Sequence, residues 1–286
     1  MRTRAFLALP VLLAAGAFAS QATAARSPSV AALQVGLHAR GLYNGPIDGI
    51  AGPRTEKAIR RLQRRARIEV DGIVGPKTRR ALGRFAHHRL GSRPLRMGNA
   101  GWDVASLQFQ LAEHGFPSAT FDGIFGPHIR GALRRFQRWA GLKTDGVAGP
   151  ATLGALTAPP PTIPLPLAWP MSSHVINSPF GPRGERWHTG IDLPARLGTP
   201  VYAARSGEVV WAGWLDGYGF LVTIAHGHGE RSMYAHLSRI DVRVGVWVGQ
   251  GVRVGLVGAT GDASGPHLHF EVRVRGASVN PLRALT

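Results

Sequence analysis

The chain has 286 residues, 44% of them hydrophobic, enough apolar material for two or three folded units with real cores. Its 34 lysines and arginines against 16 acids give a formal charge of +18, so it should adhere to polyanions; charge alone does not choose among nucleic acid, anionic lipid and anionic wall polymers. No cysteine is present, which excludes disulfides, thiolate metal sites, a cysteine nucleophile and a lipidated N-terminal cysteine.

Arg2 and Arg4 precede an apolar stretch, Ala5 to Ala19, and Ala22-Thr23-Ala24 offers small residues at both positions that a signal peptidase reads. The apolar run is shorter than the roughly 20 residues that span a bilayer. Residues 1–24 are therefore expected to be a cleaved signal peptide, leaving no transmembrane anchor and a product secreted or held in the cell envelope, in wall or periplasm.

A duplication follows. With Val30 set against Val104, the register runs without a gap to Leu82 against Leu156. Leu33-Gln34 meets Leu107-Gln108, Asp48-Gly49 meets Asp122-Gly123, Gly52-Pro53 meets Gly126-Pro127, and Asp71-Gly72 meets Asp145-Gly146. Each copy is one structural unit. Val30, Leu33 and Leu37 share a helical face, as do Ala58, Ile59 and Leu62, and Pro53 and Pro127 stand where a helix opens. A third short helix is expected after Gly75-Pro76. The spacing predicts two small three-helix, all-α repeats, at 29–85 and 99–157. On the second helix the arginines among Arg60 to Arg67 spread over the solvent side, where they could also bind a polyanion.

These pairs, with Gly75-Pro76-Lys77-Thr78, resemble the peptidoglycan-binding domain of the three-helix type. The second copy departs from the first in having Ile129 where the first has Thr55, and in lacking Gly45. The resemblance implies that the repeats bind bacterial peptidoglycan.

Residues 158–168 are rich in proline, Pro159-Pro160-Pro161, Pro164 and Pro166, and should form an extended, semi-stiff linker. Beyond it, in 169–286, short strand-like runs bounded by glycine predict an all-β domain: Val201–Ala203, Glu208–Trp211, Phe220–Ile224, Val252–Val254 and Leu268–Val272.

Most of the twelve histidines carry no pattern. Three places in the β domain differ: His188-Thr189-Gly190-Ile191-Asp192, Tyr234-Ala235-His236-Leu237 and His267-Leu268-His269. On extended backbone, side chains an even number of residues apart share a face, which pairs His188 with Asp192 and His267 with His269. Imidazole and carboxylate are what zinc takes when cysteine is absent, and a catalytic zinc uses three protein ligands and one open position. Four histidines and one carboxylate leave two groups over for proton transfer, which predicts a hydrolase.

The run Ser178-Pro179-Phe180-Gly181-Pro182-Arg183, the His188–Asp192 segment, Gly198-Thr199-Pro200-Val201, Tyr234–Leu237 and Ser264-Gly265-Pro266-His267-Leu268-His269-Phe270-Glu271 together resemble the lysostaphin-type zinc endopeptidases, peptidase family M23, also called the LytM domain. The resemblance implies Zn2+ as cofactor, with His188, Asp192 and His269 as its ligands and His236 and His267 as catalytic residues beside the attacked carbonyl. It implies an endopeptidase cutting cross-links or stem peptides of peptidoglycan and targeted to the wall by the repeats, with anionic wall polymers as further partners and no specific nucleic acid. The alternative is an inactive domain of the same kind that activates another wall hydrolase; the full ligand set argues against it.

Overall fold

The computed structural model describes residues 26–286, so the expected signal peptide lies outside the described residues. Two three-helix units precede an all-β domain. The first contains α1 (Pro28–His38), α2 (Pro53–Arg65) and α3 (Pro76–Ala81), and the second α4 (Trp102–Glu113), α5 (Pro127–Trp139) and α6 (Pro150–Ala155). α2, α3, α5 and α6 each begin on proline behind a glycine cap, where the missing N–H would have had no partner within the helix. α1 is capped by Ser27, whose hydroxyl accepts from the Val30 N–H. The two repeats share packing: Trp102 and Phe109 of α4 lie in the apolar cluster of the first repeat with Leu37 and Leu62.

Buried glutamines explain the Leu-Gln and Asp-Gly pairs. Gln63 Nε2 donates to Asp71 Oδ1 (2.6 Å), Ile73 O (2.9 Å) and Thr78 Oγ1 (3.1 Å), while its Oε1 accepts from the Gly72 N–H (2.9 Å). Gln137 repeats the set with Asp145, Val147, Thr152 and Gly146. Gln34 does the same with Asp48, Ile50, Thr55 and Gly49. Gln108 keeps Asp122 and Gly123, but Ile129 stands at the position matching Thr55 and offers no hydroxyl. The glycines of these turns have φ between 68° and 79°, the left-handed region that glycine enters at least cost.

The β domain contains β1 (Gly181–Arg183), β2 (Arg186–His188), β3 (Gly190–Pro194), β4 (Pro200–Tyr202), β5 (Gly207–Leu215), β6 (Gly219–Gly227), β7 (Glu230–Ile240), β8 (Trp247–Val248), β9 (Arg253–Val257), β10 (His267–Val274) and β11 (Ala277–Val279). The main sheet runs β11-β10-β7-β6-β5-β8, with β3 also on β10, and with β9 pairing β4 and β7; β1 and β2 form a separate ribbon. One face of the sheet buries Ile191, Leu193, Val222, Tyr234, Leu268 and Phe270. Strand alternation sends the intervening residues to the other face.

The proline-rich segment, expected as an extended linker, runs without helix or sheet ladder and ends against the β domain. It lies along the β domain, where Ile163 and Leu167 join the core, the Leu167 N–H donates to Ala284 O (2.8 Å) and the Thr286 N–H donates to Leu167 O (2.9 Å). Proline stiffens such a segment, but the apolar residues between the prolines gain more by burial than by staying in water. The repeats dock on the β domain directly, and the Ser278 N–H donates to Gly115 O (3.0 Å) across the boundary.

Candidate active site

β3, β10 and β7 bring the first groups together by register. Asp192 stands opposite His269, and His269 opposite Ala235, so these residues share one face. A Cβ on Gly190 would meet the Phe270 carbonyl and the His269 ring, so glycine is needed for β3 to lie this close to β10. His188 enters from the end of β2. His188 Nε2 is 3.0 Å from Asp192 Oδ1 and 3.1 Å from His269 Nδ1, and His269 Nδ1 is 2.9 Å from Asp192 Oδ1.

This near-equilateral triangle of two nitrogens and one oxygen suits a divalent metal ion. Tetrahedral zinc with bonds of about 2.0–2.1 Å would hold such atoms roughly 3.3 Å apart. The outer atoms are fixed as metal ligands require. His188 Nδ1–H donates to Pro179 O (2.9 Å), which leaves Nε2 as the lone-pair nitrogen. Arg183 donates to Asp192 Oδ2 (3.0 Å), and His269 Nε2 faces Glu271 Oε2 at 3.6 Å.

Charge is unevenly shared. Burial alone would raise the Asp192 pKa, but hydrogen bonds from His188 and His269 outweigh it and hold the carboxyl well below the usual range. Burial opposes protonation of His269, yet its bonds to Asp192 and Glu271 leave its pKa raised. Fully buried Glu271 is held at about 2: burial pushes it up, while His269 and Arg273 pull it further down.

His236 and His267 stand beside this triangle, their rings 4.8 Å apart. His236 has φ 60°, uncommon for a residue with a Cβ, and strain of this kind collects at working sites. Its Nδ1 donates to Thr260 O (2.7 Å), and His267 Nδ1 donates to Gly265 O (2.8 Å), so in both rings Nε2 is the nitrogen left with a lone pair. His267 Nε2 is 3.7 Å from Asp192 Oδ1. Burial lowers the His236 pKa. All five residues line one open cavity of about 380 Å³.

Sequence reasoning gave no role to Arg183, Tyr218 or Glu271, which complete the surroundings. Glu271 had a signal, since it follows His269 by two positions and so shares its face. Its carboxylate accepts from Tyr218 Oη (3.0 Å), Thr189 Oγ1 (3.2 Å), Arg273 Nε (2.7 Å) and Ser278 Oγ (2.8 Å). Tyr218 had none, because it arrives from the β5–β6 turn; burial and Glu271 raise its pKa to about 12. Other histidines lie apart: His226 is bonded to Ser206 and Ser232, and His114 to Gln110 and Ala158.

Residues 186–281 match peptidase family M23, and residues 26–82 and 101–156 each match a putative peptidoglycan binding domain. The DD-carboxypeptidase/endopeptidase Mpg of Neisseria meningitidis serogroup B is 45% identical over 113 residues, covering 37% of this chain and 26% of the relative. The peptidoglycan DD-endopeptidase ShyA of Vibrio cholerae is 40% identical over 123 residues, 42% of this chain and 29% of the relative. The chain thus spans less than a third of either curated relative. The solved catalytic domain of the antimicrobial peptidase lysostaphin from Staphylococcus simulans is 33% identical, with 38% of this chain and 90% of that one covered and a TM-score of 0.37. The chain thus carries a peptidase domain of family M23, preceded by two putative peptidoglycan binding domains.

Proposed function

We propose that the protein is a zinc-dependent endopeptidase that hydrolyses peptide cross-links of bacterial peptidoglycan. The observation that carries this reading is the triangle of His188, Asp192 and His269 with edges of 2.9–3.1 Å, in a cleft that also holds His236 and His267. These three residues would hold the zinc. When bound, zinc supplies Lewis-acid chemistry there, polarising a peptide carbonyl and making water more acidic.

The two remaining histidines move protons. Their Nδ1–H groups are tied to backbone carbonyls, so each Nε2 can take a proton from the attacking water or, once protonated, give one to the oxyanion or the leaving amine. The lowered pKa of His236 keeps it neutral, as a proton acceptor must be. The names of Mpg and ShyA both contain DD-endopeptidase activity, which favours direct cross-links between stem peptides over glycine bridges. The repeats hold the enzyme to the wall, and the exposed arginines of α2, Arg61, Arg64 and Arg65, favour anionic wall polymers as further contacts.

The test is mass spectrometry of fragments released from cross-linked muropeptides by the zinc-loaded chain, with and without chelator. Chelator-sensitive release of monomers is expected. Intact dimers after incubation with the zinc-loaded protein would overturn the reading.

A further inference from the structure

The β1–β2 ribbon makes no ladder with the main sheet, yet it ends on His188. An isolated two-stranded ribbon is marginal in water at best. Here the helical repeats support it. The Ile47 N–H of the first repeat donates to Gly184 O at 2.9 Å, and the Phe121 N–H of the second donates to Glu185 O at 2.8 Å, so the turn of the ribbon is bonded to both. His38 Nε2 is 2.9 Å from Glu185 Oε1.

Trp187 makes the largest contact. It is 7% exposed and belongs to the apolar cluster of the repeats, with Phe109 and Phe121. Phe109 and Phe180 meet its ring edge-on, at centroid distances of 5.9 and 5.7 Å, and the Arg26 guanidinium lies 5.5 Å from it. Its indole N–H is buried without an acceptor, so the ring's area and not a hydrogen bond makes this anchor. Alternation along β2 sends Trp187 towards the repeats and His188 towards the metal triangle. The partner strand brings Arg183 to Asp192. Both of the ribbon's contributions to the site depend on its staying in place.

We propose that Trp187 is a positioning residue: anchored in the seam between the two repeats, it holds His188 where zinc needs it. The inference rests on the zinc reading above. It makes the repeats part of the support of the active site as well as its attachment to the wall.

The test uses the full chain as wild type, Trp187→Ala, Trp187→Phe and Glu185→Ala. Zinc affinity is measured by competition with a chromogenic chelator, with helical circular dichroism and pelleting on sacculi as controls. Trp187→Ala should bind zinc at least about tenfold more weakly, the lower end of losses seen when a ligand's support is removed, with helix content and pelleting unchanged. Trp187→Phe, which keeps one aromatic ring but loses the five-membered ring with its unpaired N–H, should show a smaller loss than Trp187→Ala. Glu185→Ala removes only the exposed tie to His38 and serves as a control that should keep nearly all of the affinity, while Trp187→Phe decides the matter if Trp187→Ala does not fold. Wild-type affinity in a folded Trp187→Ala, or in Trp187→Phe where Trp187→Ala does not fold, would overturn the proposal. A wild-type chain that takes up no zinc would overturn the metal site itself, and the anchoring with it.

Discussion

In the repeats Gln34, Gln63 and Gln137 are at most 1% exposed, and their amides have donors matched to acceptors and acceptors to donors. In the β domain His188, Asp192 and His269 are nearly as deeply buried, at 3%, 7% and 6%, but they aim metal-ligating atoms at one another. A buried polar group must be satisfied, and the two regions do this differently. A glutamine amide carries both donors and acceptors and closes a turn by itself. Three convergent ligand atoms direct their lone pairs at a shared point, an arrangement suited to a divalent cation. Depth of burial therefore does not separate structural polar residues from functional ones; what their lone pairs face does.

That contrast predicts different losses. Asp192→Ala should abolish both zinc uptake and hydrolysis, whereas His236→Ala should keep its zinc and lose roughly 10²–10⁴-fold in rate, the range of general acid–base catalysis. Metal analysis of the two purified variants, beside their rates on muropeptides, checks the split; equal metal loss in both would break it. In the repeats Gln63→Ala should leave metal and rate on soluble substrate unchanged but destabilise the fold by about 3 kcal/mol, since three of its four partners, all but the exposed Asp71, are left unpaired at about 1 kcal/mol each. Gln108→Ala should cost about 1 kcal/mol less, having lost the hydroxyl partner already. Denaturant midpoints of the two variants measure the difference.

The last effect is one of pH. Glu113, at the end of α4, lines a cavity of about 480 Å³ between the repeats and the β domain. Burial raises its pKa from 4.5 to about 7, with Arg26 opposing. The folded state thus binds this proton more tightly than the unfolded one. Its contribution is full below about pH 4.5 and is lost as the pH climbs towards 7. Glu113→Gln should flatten that decline and melt higher than wild type above pH 7; parallel melting curves across this range would contradict it.

Much of this was legible in the sequence. Glycine-proline pairs marked the starts of α2, α3 and α5, because proline at a helix start is a local preference. The alternation in His267-Leu268-His269 gave β10 its two faces. Long-range effects were hidden. β7 carries Glu230, Arg231, Ser232 and His236 and has no strand-like apolar pattern, because its polar residues find partners only after folding. The role of the conserved-offset glutamines also needed coordinates, since Gln63 and Thr78 meet across fifteen positions. Tyr218 reaches Glu271 from a turn 53 positions away, a distance no local pattern reports. The docking of the repeats rests on such long-range contacts too, and so does the packing at the end of the proline-rich stretch, where Leu167 is buried and Ile163 half-buried.

That stretch has a mechanical consequence. With Leu167 bonded to the C-terminal residues and the repeats bonded to the turn of the β1–β2 ribbon, the repeats and the cleft are tied through several separate contacts. Under the function proposed above, a strand of wall held by the repeats would meet the cleft at an offset set by this packing, and moving to another bond would require release and rebinding.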